Sequence, residues 1–153
     1  MLRISRLTDY GTVVLAHLAH DDADLVSAAE VANATGIALP TVSKLLKSLA
    51  KADLVNSTRG SHGGYQLARD AREISAADVI DALEGPVSIT ECSAIDSHCD
   101  FEDSCNVGGA WQRINVAIRR ALDDISLADL LRTKSPVRHF EFAGLPISVE
   151  QKR

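Results

Sequence analysis

The stretch from Ser27 to Leu67 constrains the fold more than any other part of the chain. It opens on Ser27 with Glu30 three residues on, the spacing at which a hydroxyl and a carboxylate satisfy each other's backbone N–H groups. SAAEVANATG is therefore expected to be a short helix, stopped by Gly36. Pro40 starts a second helix, PTVSKLLKSLAKADL, at the position where its missing N–H costs nothing. Val42, Leu45, Leu46 and Leu49 fall on one face of it, and Ser43, Lys44, Lys47 and Lys51 on the other. The four-residue, glycine-containing connection from Gly36 to Leu39 fits a helix-turn-helix. Leu54-Val55 and Tyr65-Gln66-Leu67 then read as short strands separated by Gly60, Gly63 and Gly64, a hairpin with a loose tip. Two helices followed at once by such a hairpin are the order of a winged helix-turn-helix, with Arg59 and His62 carried on the wing.

On the N-terminal side, TDYGTVVLAHLA (Thr8 to Ala19) places Val14, Leu15, Leu18 and Ala19 at helical spacing. On the other side, Ser75 caps a helix AADVIDALEG that ends at Gly85-Pro86. Trp111, Ile114, Ile118, Ala121 and Ile125 are spaced three, four, three and four residues apart, a coiled-coil-like seam with little nearby chain to cover it. That seam predicts pairing with a second copy. After Leu131 there is no helical period and there are two prolines, which predicts a mostly disordered tail. The expected fold class is mainly α: a winged helix-turn-helix over residues 1–85, a loop over 86–106, a long dimerisation helix over 107–131 and a tail over 132–153.

A chain of 153 residues suits one domain, which buries roughly two-thirds of its unfolded surface and needs no disulfide staple. No signal peptide follows Met1-Leu2-Arg3, no apolar run approaches the ~18 residues of a membrane span, and the cysteine count is odd. These features point to a cytoplasmic protein without a membrane segment. The net charge of -5 is unevenly spread. From Pro40 to Arg72 six basic residues face two acidic ones, a net +4, whereas Glu73 to Cys105 holds nine carboxylates and no Lys or Arg. The first part can meet phosphate, and the second must face away from it or be neutralised by a cation.

Lysines on the outer face of an amphipathic helix are commonplace, so the case for double-stranded DNA rests on the combination. Thr41, Ser43, Lys44 and Lys47 lie near the start of the second helix of the pair, where side chains reach phosphates and base edges in the major groove. Arg59 on the wing suits a narrow minor groove, and His62 could touch phosphate.

Cys92, Cys99 and Cys105 all lie in the acidic stretch ECSAIDSHCDFEDSCN. The surrounding carboxylates disfavour free reactive thiolates, whereas a bound metal would deprotonate the thiols it holds. The C-x6-C-x5-C spacing is wider than zinc-ribbon knuckles and suits something larger than one ion. An iron-sulfur cluster, a single zinc and no metal at all remain open on spacing alone. No nucleophile-base pairing or phosphate loop argues for an enzyme.

LTDYGTVVLAHLA, the wing STRGSHGGYQLA, and three cysteines ahead of a helix with Trp111 together resemble the Rrf2 family of winged-helix regulators, over about residues 1 to 131. That family includes the cluster regulator IscR and the nitric-oxide-sensing repressor NsrR, and MLRISRLTDYGTVVLAHLA looks most like regulators of SUF iron-sulfur assembly genes. The resemblance implies a homodimer on a pseudo-palindromic promoter site, with DNA affinity governed by a 2Fe-2S or 4Fe-4S cluster on the cysteine loop. It implies DNA contacts from Thr41, Ser43 and Arg59. IscR-like members carry a histidine three residues after the third cysteine, where this chain has Gly108. NsrR-like members use an aspartate of the partner subunit's first helix instead, and Asp9 stands there. The resemblance thus implies a repressor of iron-sulfur assembly genes, with a nitric-oxide or redox sensor of the same architecture as the alternative. A cluster carrier or zinc adaptor that does not bind DNA is the alternative from another class.

Overall fold

A computed structural model describes residues 4–20, 25–60, 63–90 and 107–132, and the backbone of 140–142 and 145–147. The apolar face of PTVSKLLKSLAKADL forms the middle of its core. Val42, Leu45, Leu46 and Leu49 are completely buried, together with Val14, Leu15 and Val31 from the two preceding helices. The elements in chain order are α1 (Arg6–His20), α2 (Ala28–Thr35), α3 (Leu39–Lys51), β1 (Val55–Thr58), β2 (Gly64–Leu67), α4 (Ala76–Glu84), α5 (Gly108–Asp123), α6 (Leu127–Leu131), β3 (Phe140–Phe142) and β4 (Leu145–Ile147).

Local chemistry sets the boundaries of the pair α2 and α3. Ser27 Oγ accepts the Glu30 N–H and Glu30 Oε2 accepts the Ser27 N–H, closing the expected capping box. Gly36 ends α2 with φ +72, a conformation that a side chain resists. Leu39 is already helical, so the connection is three residues and not four. At the far end of α3, Asp53 takes the left-handed φ of 56 and the Leu54 N–H reaches back to the Leu49 carbonyl at 3.0 Å, turning the chain into β1.

β1 and β2 pair antiparallel, Val55 opposite Leu67 and Thr58 opposite Gly64. Val26 adds a third rung: it exchanges two backbone hydrogen bonds with Tyr65, at 3.0 and 2.8 Å. This rung ties the wing to the entrance of α2. The approach is so close that a Cβ on Gly64 would lie 2.9 Å from the Leu25 carbonyl carbon and 3.0 Å from Val26 backbone atoms.

The run expected to be one long helix over 107–131 divides in two. α5 ends at Asp123, and Ser126 caps α6 by a reciprocal capping box with Asp129, as Ser75 does α4 with Asp78. Ile125, counted in the helical seam, therefore sits in the turn, where its carbonyl accepts the Ala76 N–H at 2.8 Å. Leu127 bonds the Ile74 carbonyl at 2.7 Å and is wholly buried. The C-terminal end of α5 is thus sewn to the start of α4. In the segment expected to be a mostly disordered tail, β3 and β4 form a short antiparallel hairpin.

Candidate nucleic-acid interface and its neighbourhood

The solvent side of α3 and the wing border one open groove. Lys44, Lys47 and Lys51 are exposed on α3, while Thr41 and Ser43 are half-buried near its start. Arg59, just beyond β1, is exposed. Lys47 and Arg59 line one open groove with Ser27, Ser57, Thr58 and Tyr65. None of Lys44, Lys47, Lys51 and Arg59 is engaged in an ion pair among the described residues, so their charge is available to an anion. Arg69 and Arg72, counted in the same basic segment, are engaged: Arg69 with Asp78 at 2.9 Å, and Arg72 with Asp70 at 2.8 Å. Hydrogen bonds from Arg72 hold the Asp70 carboxyl down to about 2. The usable positive charge is therefore narrower than the sequence count and centred on α3 and the wing. His62 lies outside the described residues.

On α1, Asp9 is exposed in the first turn, and no side chain among the described residues engages its carboxylate. The turn that presents it is anchored from below. Glu84 Oε1, at the end of α4, accepts the Ser5 N–H at 3.1 Å and the hydroxyl proton of buried Thr8. The Thr8 hydrogen bond lowers the Glu84 pKa. Cys92, Cys99 and Cys105 lie outside the described residues, and among the described residues no three His, Cys, Asp or Glu side chains gather to hold a metal.

Along α5, Trp111 and Ile114 are 39% and 40% exposed, while Ile118 and Ala121 are half-buried. Ile118 turns toward the chain itself, sharing an apolar groove with Ile4, Ile80, Val87 and Leu122. α5 buries none of its own residues fully. Only the first half of the expected seam is left uncovered by the chain.

Over residues 4–133 the chain matches the family model described as Rrf2, iron-dependent transcriptional regulator. The chain belongs to the Rrf2 family. It is a transcriptional regulator that binds DNA, and this sets aside the reading as a cluster or zinc protein without DNA. Among Rrf2 relatives, it is 35% identical over 135 residues to protein rrf2 of Nitratidesulfovibrio vulgaris, covering 88% of this chain and 90% of that protein. Two solved structures share its architecture. CymR, the global cysteine regulator of B. subtilis, superposes with a TM-score of 0.66 at 30% identity, over 88% of this chain and 100% of that one. The IscR of T. potens superposes with a TM-score of 0.63 at 32% identity, over 86% of this chain and 87% of that one. No helix among the described residues is long and apolar enough to cross a membrane.

Several structural side chains escaped the sequence reading. Glu84 and Thr8 are 76 residues apart, and no local pattern joins them. Arg119 pairs with Asp81 on α4 at 2.6 Å and, one helical turn along, with Asp123 at 3.5 Å. Burial opposes the Arg119 charge, but the hydrogen bond to Asp81 and the charges of both carboxylates outweigh it and raise its pKa. Only the Arg119–Asp123 spacing carried a signal in the sequence. The Ser126–Asp129 box was also legible, since it repeats the spacing seen at Ser75 and Asp78.

Proposed function

We propose that this Rrf2 regulator works in the cytoplasm as a homodimer on a pseudo-palindromic promoter site, and that an iron-sulfur cluster, 2Fe-2S or 4Fe-4S, sets its DNA affinity. The observation that carries the DNA contact is the groove shared by Lys47 and Arg59, two cations from separate elements with no ion pair among the described residues. Thr41, Ser43 and Lys44 at the start of α3 would meet bases and phosphates of the major groove, with Arg59 and His62 reaching past its edge. The uncovered Trp111 and Ile114 are the natural contact for a second copy, at the half of the seam that the chain itself does not cover.

The donor set fits a cluster. Three thiolates, Cys92, Cys99 and Cys105, suit cluster iron, and Asp9 is exposed with no side chain among the described residues engaging its carboxylate, which suits a role toward the neighbouring subunit. A carboxylate is a harder ligand than a thiolate, so its corner would be the weak one, which suits a sensor. When bound, the cluster would supply a redox- and supply-sensitive tie between Asp9 of one subunit and the thiolates of the other. Half-sites must be met about one helical turn, ~34 Å, or a multiple apart, so a small change in dimer geometry alters affinity strongly. By resemblance, the target is a set of iron-sulfur assembly genes held repressed. Gly108 at the first position of α5, where a fourth ligand histidine would stand, together with the exposed Asp9, favours as second reading a nitric-oxide or redox sensor of the same build.

Anaerobic purification with an absorption spectrum, iron and sulfide counts, and DNA binding before and after cluster removal tests the proposal. Brown protein whose affinity changes on removal is the expected result. Colourless protein holding only zinc would refute cluster control.

A further inference from the structure

Val87 lies three residues past the end of α4, on the way to the cysteine segment and five positions before Cys92. Both of its backbone polar groups are held by side chains, and from two different helices. Asp81 Oδ1 on α4 accepts the Val87 N–H at 3.2 Å, and Asn115 Nδ2 on α5 donates to the Val87 carbonyl at 3.2 Å. The other Asp81 oxygen takes the Arg119 guanidinium of α5 at 2.6 Å. We propose that Asp81, Asn115 and Arg119 are positioning residues that form a latch around Val87, through which the state of the cysteine segment is passed to α4 and so to the DNA-binding surface. The proposal rests on the reading that the cysteine segment governs DNA binding.

The exit from α4 is built to transmit displacement. Gly85 adopts φ +93, with its N–H bonded to the Asp81 carbonyl at 3.1 Å, and Pro86 restricts the next backbone angle, so little slack separates Asp81 from Val87. A pull on Val87 from the cysteine side therefore loads the Asp81 and Asn115 hydrogen bonds.

The two ends of α5 are held differently. At its C-terminal end, backbone bonds join Ile125 to Ala76 and Leu127 to Ile74, beside wholly buried Leu127. Further back along the helix, Asn115 at its middle and Arg119 one turn on tie it to the exit loop and to α4. Opening the latch lets α5 swing about the sewn end, carrying Trp111 and Ile114 with it. α4 in turn packs on α1 and α3, which bear Asp9, Lys44 and Lys47. Isolated half-exposed ion pairs contribute little to stability. Here one carboxylate serves two donors from different segments, the arrangement in which polar groups select one geometry over its neighbours.

The test uses the full chain and N-ethylmaleimide, which caps the three cysteine thiols, with hydrogen-deuterium exchange read across α4 and α5. In the wild type, capping should change exchange in both helices by about fivefold or more, the lower range of an allosteric coupling. Asn115→Ala and the nearly isosteric Asp81→Asn should reduce that change to below about twofold while still melting cooperatively. Asp123→Asn, which removes only the partner of Arg119 within α5, should keep it. Wild-type exchange unmoved by capping, or variants that respond like the wild type, would overturn the latch. Exchange that responds while DNA affinity stays the same on capping and on cluster removal would keep the coupling of the cysteine segment to α4 and α5 but overturn its extension to the DNA-binding surface, together with cluster control.

Discussion

Lys47→Ala should flatten the salt dependence of DNA binding by an amount that can be worked out beforehand. Lys47 is exposed on α3, pairs with no carboxylate among the described residues and shares its groove with Arg59. Each phosphate neutralised on B-DNA releases counterions and contributes about 0.9 to the slope of log K against log salt. The proposed homodimer would present Lys47 twice, so the double loss should reduce the slope by about 1.8. Between about 50 and about 200 mM salt the variant should therefore lose about tenfold less affinity than the wild type does. Fluorescence anisotropy with a duplex obtained by selection from random sequence, titrated at four or more salt concentrations, measures both slopes. A slope unchanged within about 0.5 would show that Lys47 touches no phosphate and that α3 docks otherwise than inferred. Arg59→Ala separates the two roles open to that residue: a phosphate contact changes the slope alike on all sequences, whereas a minor-groove contact changes which sequences bind.

Gly64→Ala should destabilise the protein by about 1–3 kcal/mol, because its Cβ would press on the backbone of Leu25 and Val26, which cannot swivel aside as a side chain can. A thermal melt checks this, with about 2–4 °C expected per kcal/mol for a chain of this size, and a variant melting with the wild type would contradict the close wing contact. Acid sensitivity offers a further check. The hydrogen bond from Thr8 depresses the Glu84 pKa below its ordinary 4.5, so the stability it contributes is complete above that value and fades as pH falls through the lower folded-state pKa. Thr8→Val, which removes the hydroxyl, should lose less stability than the wild type between about pH 5 and about pH 3 in urea titrations. Parallel curves would show that the bond contributes nothing.

Elements governed by neighbours three or four residues apart were readable from the chain alone. The capping box at Ser27, the cap at Ser75, the glycine stop at Gly36, the apolar face of α3 and the glycine-bounded hairpin all depend on contacts within one turn or one loop, and together they specify a winged helix-turn-helix. The exposed cations of α3 were readable for the same reason, since a helix that buries Val42, Leu45, Leu46 and Leu49 must turn Lys44 and Lys47 outward. Which cations stay free was not readable: Arg69 and Arg72 look equivalent to Lys47 in sequence, yet carboxylates claim them in the fold. The break between α5 and α6 had its local sign in Ser126 and Asp129, hidden by an apolar period that runs through the turn to Ile125. The ties between Thr8 and Glu84, between Val26 and Tyr65, and around Val87 join residues from about 6 to 76 positions apart across different elements. No periodicity encodes such ties. Packing brings those groups together, and only the packed chain decides which donor finds which acceptor.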